Sequence, residues 1–317
     1  MRIIGRRSAA AVAVLAVAGS TAAAGHVPDP YAAPGPLPGL TGAGTLPARY
    51  AAVHAQIEAA HATAERAHDG GRARALAGFL APGRTFLSFD ARGSGRAVEV
   101  TGDLAHADRV AVVVPGADGR LTNFDSWKWA GGGARSIAGQ ARREAPGARL
   151  AVIAWLGYAS PSTLSTAVLT DDGARTAATA LRALVTDVRR LNGRAGIALL
   201  CHSYGSVVCG RAGKAGPLPV DEVALFGSPG TTASSARQIF PSAQVWAGRS
   251  SGDWMQFVPH VRLLGIGFGR DPLSSAFGAR RFAAGGGPHS AYLKPGSTPL
   301  ANLTRIALRE EAEVTHG

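Results

Sequence analysis

Apolar residues in this chain come in short unbroken runs rather than alternating with polar ones. Residues 110–114, 150–155, 197–200, 223–226 and 244–247 have the length and apolar content of strands buried on both faces. Between them lie longer stretches of helical character, at 135–145, 173–191 and 207–212. Ahead of these, residues 86–89 and 97–100 flank the turn-forming Arg92-Gly93-Ser94-Gly95, which predicts a hairpin. The stretch 49–77 is rich in Ala and has no Pro, so it predicts helix, broken at Asp69-Gly70-Gly71. A last short strand at 280–284 brings the count to about eight. Strands of this kind alternating with helices predict a mostly parallel α/β sheet with helices on both faces.

An antiparallel start followed by parallel strand–helix units is the order of the α/β-hydrolase fold. In that fold the nucleophile sits on a tight turn between a buried strand and a helix. Ile197-Ala198-Leu199-Leu200-Cys201-His202-Ser203-Tyr204-Gly205-Ser206-Val207-Val208 supplies that context, with Ser203 at the turn. The residues two before and two after such a serine need to be small. Gly205 meets the second requirement, and Cys201 stands where the usual G-x-S-x-G pattern has Gly. His202 is expected to pack or to line the entrance. Cys201 and Cys209 read as buried small residues, with a disulfide between them left open.

A serine hydroxyl needs an imidazole to take its proton, and the imidazole needs a carboxylate to fix its tautomer. In this fold the acid and then the histidine follow the serine in the chain. Asp253 lies in the loop after the second strand beyond Ser203, with Asp271 in reserve as a turn-forming residue before Pro272. Of the later histidines, His260 comes too early and His316 lies in a tail expected to fray. His289, in the Gly-rich loop after the last strand, is the candidate base. The oxyanion donors are expected to be the N–H of Tyr204 and that of Gly116 or Ala117. Trp127, Trp129, Trp155 and Tyr158 are candidates to line an apolar pocket. Asp118 and Asp125 read as loop-shaping. The 115–119 loop lacks the Lys and the glycine spacing of a nucleotide cradle.

Composition adds a compartment. Arg2, Arg6 and Arg7 precede an apolar run, residues 9–18, and Ala22-Ala23-Ala24 offers a cleavage site. The run is shorter than the roughly 20 residues a membrane span needs. Residues 1–24 are therefore expected to be a signal peptide and the protein to be secreted, the alternative being an N-terminal membrane anchor. A Pro/Gly/Ala-rich linker at 25–48, a helical segment at 49–80 and the catalytic domain at 81–317 complete the expected organisation. The formal net charge is +12, and loss of three Arg would leave +9. That balance favours an anionic cell-envelope surface. No basic run or binding module points to nucleic acid. His54, His61 and His68 recur every seven residues, about 10 Å apart along a helix, too far to share a metal ion. No metal or cofactor is expected.

Val113-Val114-Pro115-Gly116, Trp155-Leu156-Gly157-Tyr158, His202-Ser203-Tyr204-Gly205-Ser206, Gly227-Ser228-Pro229-Gly230, Gly252-Asp253 and His289-Ser290-Ala291-Tyr292 carry a family resemblance. With them the chain, over roughly residues 81–292, resembles a bacterial family of α/β-hydrolases catalogued as a domain of unknown function, with a lipase- or esterase-like core. The resemblance implies the fold and the Ser203–His289–Asp253 triad, and no settled substrate. Cleavage of an ester or other acyl bond in a small-molecule or lipid-like substrate is the expected function. The alternatives are acyl transfer to cell-envelope acceptors and a non-catalytic envelope-binding relative.

Overall fold

The computed structural model of the chain describes residues 29–258 and 267–317. The expected signal segment, the first residues of the linker and His260 lie outside them. One eight-stranded sheet organises the rest, in the spatial order β1-β2-β4-β3-β5-β6-β7-β8. The hairpin forms as expected from β1 (Thr85–Asp90) and β2 (Arg96–Thr101), and β2 pairs antiparallel with β4 (Leu150–Leu156). From β4 outward every pair is parallel, through β3 (Arg109–Val114), β5 (Gly196–His202), β6 (Glu222–Phe226), β7 (Gln244–Gly248) and β8 (Arg280–Arg281). This is the α/β-hydrolase fold.

The period of two sorts the strand side chains between two cores. Val110, Val112 and Val114 of β3, with Ile197 and Leu199 of β5, face α4 (Asp172–Leu191) and α5 (Tyr204–Lys214). Ala111, Val113 and Leu200 face the opposite layer, built from α1 (Leu46–Arg66), α2 (Gly70–Phe79), α3 (Ala130–Glu144) and α7 (Thr298–Leu308). The short α6 (Ala236–Ile239) lies between β6 and β7. The break before α2 is capped by Asp69, whose carboxylate accepts from the Arg72 N–H at 3.0 Å. From Asp29 to Gly39 the chain has no regular secondary structure, yet Tyr31 is buried there, and Leu40 just beyond it.

Helix α3, strand β8 and the C-terminal tail differ from expectation for physical reasons, and α7 was not expected. Helix α3 starts five residues early because Gly131, Gly132 and Gly133 let it press against Phe124 and Ser126; a Cβ on Gly132 would come within 2.3 Å of the Ser126 backbone. Strand β8 stops at Arg281 because Ala283 N–H turns to the Thr315 carbonyl instead. That tail is not frayed: Asn302 binds Thr315 by several hydrogen bonds, and His316 stacks on Trp246. His54 and His61 pair with Glu58 and Glu65 along the exposed side of α1.

Candidate active site

The loops that leave the carboxyl ends of β5, β7 and β8 meet at one end of the sheet. Ser203 follows β5 with φ 51° and ψ −125°, a left-handed conformation that a non-glycine residue rarely holds. The Ser203 N–H donates to the Phe226 carbonyl at 3.0 Å, which fixes the turn to β6. Gly205 is obligatory here, since a Cβ would approach the Val114 carbonyl oxygen to 2.5 Å. The Cys201 and Cys209 side chains form a disulfide on the α4–α5 side, so the chain is covalently closed across the turn. Cys201 thus does more than fill the space of a small residue.

Ser203 Oγ donates to His289 Nε2 at 2.9 Å, and His289 Nδ1 donates to Asp253 Oδ1 at 2.8 Å. This chain of bonds fixes the histidine tautomer. Asp253 is fully buried and caps the 3₁₀ turn Trp254–Phe257, accepting from the Met255 N–H at 2.8 Å. Tyr292 donates its hydroxyl to the other oxygen, Oδ2, at 2.5 Å. Burial alone would raise the Asp253 carboxyl; the hydrogen bonds from His289 and Tyr292 outweigh it and hold the group below the usual carboxylate range. The reserve acid, Asp271, instead pairs with Arg249 and shapes its own turn, accepting from the Leu273 N–H.

One neighbour of the triad, Tyr292, escaped the sequence reading, and a second, His202, packs and borders the cavity as expected while also making a bond the sequence did not signal. Tyr292 stood three residues after His289 with no assigned task. His202 donates Nε2–H to the backbone carbonyl of His289 at 2.9 Å and packs among the rings of Phe226, His289 and Tyr292. Burial, with the His289 charge added, pushes its pKa down to about 3, so it is neutral at pH 7. Its adjacency to Ser203 was the only sequence signal.

The 115–119 loop abuts the nucleophile. A Cβ on Gly116 would lie 2.7 Å from Ser203 Cβ. The Tyr158 hydroxyl contacts the carbonyls of Pro115 and Gly116, at 2.9 and 3.0 Å, and Ser160 Oγ donates to Gly116 O at 2.6 Å. Because the peptide is planar and trans, anchoring the Gly116 carbonyl turns the Ala117 N–H to the opposite side. Ala117 and Tyr204 both border the cavity at Ser203. Tyr204 is the first residue of α5, so its N–H has no partner within the helix. Asp118 accepts from the Thr163 N–H and hydroxyl and ties this loop to the segment after β4. Asp125 pairs with Arg84 and Arg135.

The cavity holds about 220 Å³ and is bordered by Trp129, Val168, Leu169, Trp254, Met255 and Phe268 among others. Of the aromatic candidates for this wall, Trp129 borders the cavity and the other three do not. The pleat of β4 turns Trp155 into the core beneath, where it stacks on buried Tyr158. Tyr158 supports the 115–119 loop from below instead. Trp127 lies under the Lys128 ammonium, and its neighbours Lys128 and Trp129 reach the cavity.

A family model described as alpha/beta hydrolase matches residues 90–263, over half of the chain. An uncharacterized protein of Mycobacterium tuberculosis is 30% identical over 250 residues, covering 68% of this chain and 37% of the relative. A second uncharacterized protein of that organism is 36% identical over 182 residues, covering 52% of this chain and 66% of the relative. The chain therefore spans little more than a third of the first relative's length. Among solved structures, esterase PE8 is 17% identical with a TM-score of 0.45, over 67% of this chain and 96% of that one. A serine hydrolase without lid from Xanthomonas campestris is 16% identical with a TM-score of 0.43, over 73% and 96%.

Proposed function

The chain belongs to the alpha/beta hydrolase family, and we propose that it is a serine hydrolase that cleaves a carboxylic ester through an acyl-enzyme. The observation that carries this reading is the unbroken bonding from Ser203 Oγ through His289 to Asp253, at 2.9 and 2.8 Å. In the first step His289 Nε2 takes the Ser203 proton as Oγ attacks the ester carbonyl. The negative charge formed on the carbonyl oxygen falls to the N–H groups of Ala117 and Tyr204. The imidazolium then gives its proton to the departing alkoxide, which leaves as alcohol, and the acyl group stays on Ser203. Water, deprotonated by His289, releases the acid and restores the serine. Asp253 stays ionised throughout and stabilises the imidazolium.

The protein acts outside the cytoplasm. The basic and apolar pattern of residues 1–24 supports export, and the Cys201–Cys209 disulfide suits an oxidising compartment. A fluorophosphonate probe tests the chemistry. The intact protein is expected to label and Ser203→Ala to remain unlabelled, with loss of p-nitrophenyl acetate hydrolysis; equal labelling of the two would remove Ser203 from the reaction.

A further inference from the structure

Large apolar side chains exposed one at a time are ordinary on a protein surface. Among the described residues there are four: Leu164 at 98% exposure, Phe257 at 80%, Trp254 at 51% and Leu169 at 50%. They come from only two segments, the loop after β4 and the 3₁₀ turn after β7. Both segments also build the cavity at Ser203, the first through Thr163, Val168 and Leu169, the second through Trp254, Met255 and Val258. The exposed apolar surface is therefore the rim of the candidate active site.

The charge at this mouth is mixed, and the positive excess belongs to the chain as a whole. Lys128 is exposed and reaches the cavity wall. Asp118, the carboxylate on that wall, is engaged by the Thr163 N–H and hydroxyl. The chain as a whole carries +12. The rim is held in place from behind: the Tyr204 hydroxyl donates to the Thr170 carbonyl at 3.0 Å, and Asp171 pairs with Arg211 of α5.

We propose that this rim seats the protein on an anionic lipid surface, and that the substrate is an acyl ester drawn from that surface. A folded protein bound across the rim would close the cavity, whereas a lipid surface supplies through the same opening the molecule to be cleaved. Leu164, Leu169, Trp254 and Phe257 enter the acyl-chain region, as the apolar face of an interfacial element does, and the positive charge adds attraction to anionic headgroups. The substrate part of this inference rests on the hydrolase reading; the docking part does not.

The test uses the full chain and the double variant Leu164→Ser/Phe257→Ser, since neither residue borders the cavity and both are exposed. Binding is measured by flotation with phosphatidylcholine vesicles, with and without phosphatidylglycerol, in a Ser203→Ala background so that nothing turns over. Both proteins carry the same N-terminal apolar run, so the difference between them reports on the rim. The double variant is expected to bind phosphatidylglycerol vesicles about tenfold more weakly. With Ser203 present, it is expected to hydrolyse dissolved p-nitrophenyl acetate at the unaltered rate. Its hydrolysis of a long-chain ester embedded in the vesicles should fall by about the same tenfold. Equal vesicle binding by the two proteins, or binding by neither, would overturn the proposal. A parallel loss on dissolved and embedded esters would overturn it as well. Rim-dependent binding without hydrolysis of any ester upholds the docking and overturns the hydrolase reading and its substrate.

Discussion

His202 shows how a residue beside the candidate nucleophile in sequence supports the candidate base in space. Its Nε2–H holds the His289 carbonyl while its ring packs at a tilt against the His289 imidazole, so the loop carrying His289 is fixed from both backbone and side chain. The arrangement requires a neutral ring, since a second cation beside His289 would oppose the imidazolium that the proposed reaction forms there. With its folded pKa near 3 against an ordinary 6.5, the unfolded chain binds a proton there at a higher pH than the folded one does. Stability at this site is therefore complete above about pH 6.5 and is lost progressively as pH falls toward 3. His202→Phe keeps a ring and removes both the donor and the titration. We predict a three- to tenfold lower kcat with little change in KM, on the scale of one neutral hydrogen bond of about 1 kcal/mol. We also predict that urea titrations will show the variant gaining stability relative to wild type as pH falls from about 6.5 to 4.

At the scale of elements, the unit that matters is β5, the turn and α5. The strand sets where the turn begins, Gly205 allows the helix to pass within contact of the Val114 carbonyl, and the disulfide ties the strand end to the second turn of the helix. A closed loop this short removes roughly 2–3 kcal/mol of chain entropy from the unfolded state. Replacing both cysteines, Cys201→Ala/Cys209→Ala, is expected to lower the unfolding free energy in urea by about that amount. Dithiothreitol should destabilise the wild type to the same extent and leave the variant unaffected. Equal stability of variant and wild type would mean that packing against α4 alone holds the turn.

For the molecule as a whole, the end of the sheet opposite the triad carries its own titration. Glu222 begins β6 fully buried, with one oxygen accepting from Trp246 Nε1–H at 2.9 Å and Arg309 3.7 Å from the other. Burial pushes its carboxyl up to about 7 from an ordinary value of 4.5. Between those values the folded state binds the extra proton, so this group costs stability as pH rises through the window. Glu222→Gln keeps an acceptor for Trp246 and removes the charge. The variant is expected to be more stable than wild type at pH 8 by on the order of 2 kcal/mol, the gap narrowing as pH drops to 5. A constant gap across that range would show that Glu222 does not titrate there.

What the sequence by itself determined is the architecture and the candidate reacting groups. Continuous apolar runs report burial on both faces, so the parallel sheet was legible without neighbours in space. The order of Ser203, Asp253 and His289 could be read because each sits in a loop at the carboxyl end of a strand, and strands are the most visible elements. Helix α3 was begun too late because glycines that favour close packing look like breakers when read locally, whereas α7, which holds no glycine, was missed altogether. The pocket wall was read correctly at Trp129 and wrongly at Trp127, Trp155 and Tyr158. Trp155 and Trp129 are both apolar aromatic residues near the site, and only the pleat of β4 sends one into the core while the loop leaves the other at the cavity. Which peptide N–H is freed toward Ser203 depends on Tyr158 and Ser160, more than 40 residues along the chain from the carbonyls they hold. The Tyr292–Asp253 bond and the apolar rim are likewise meetings of distant segments. Sequence fixes which groups exist and how often they repeat; only the packed fold brings together side chains that no local period relates.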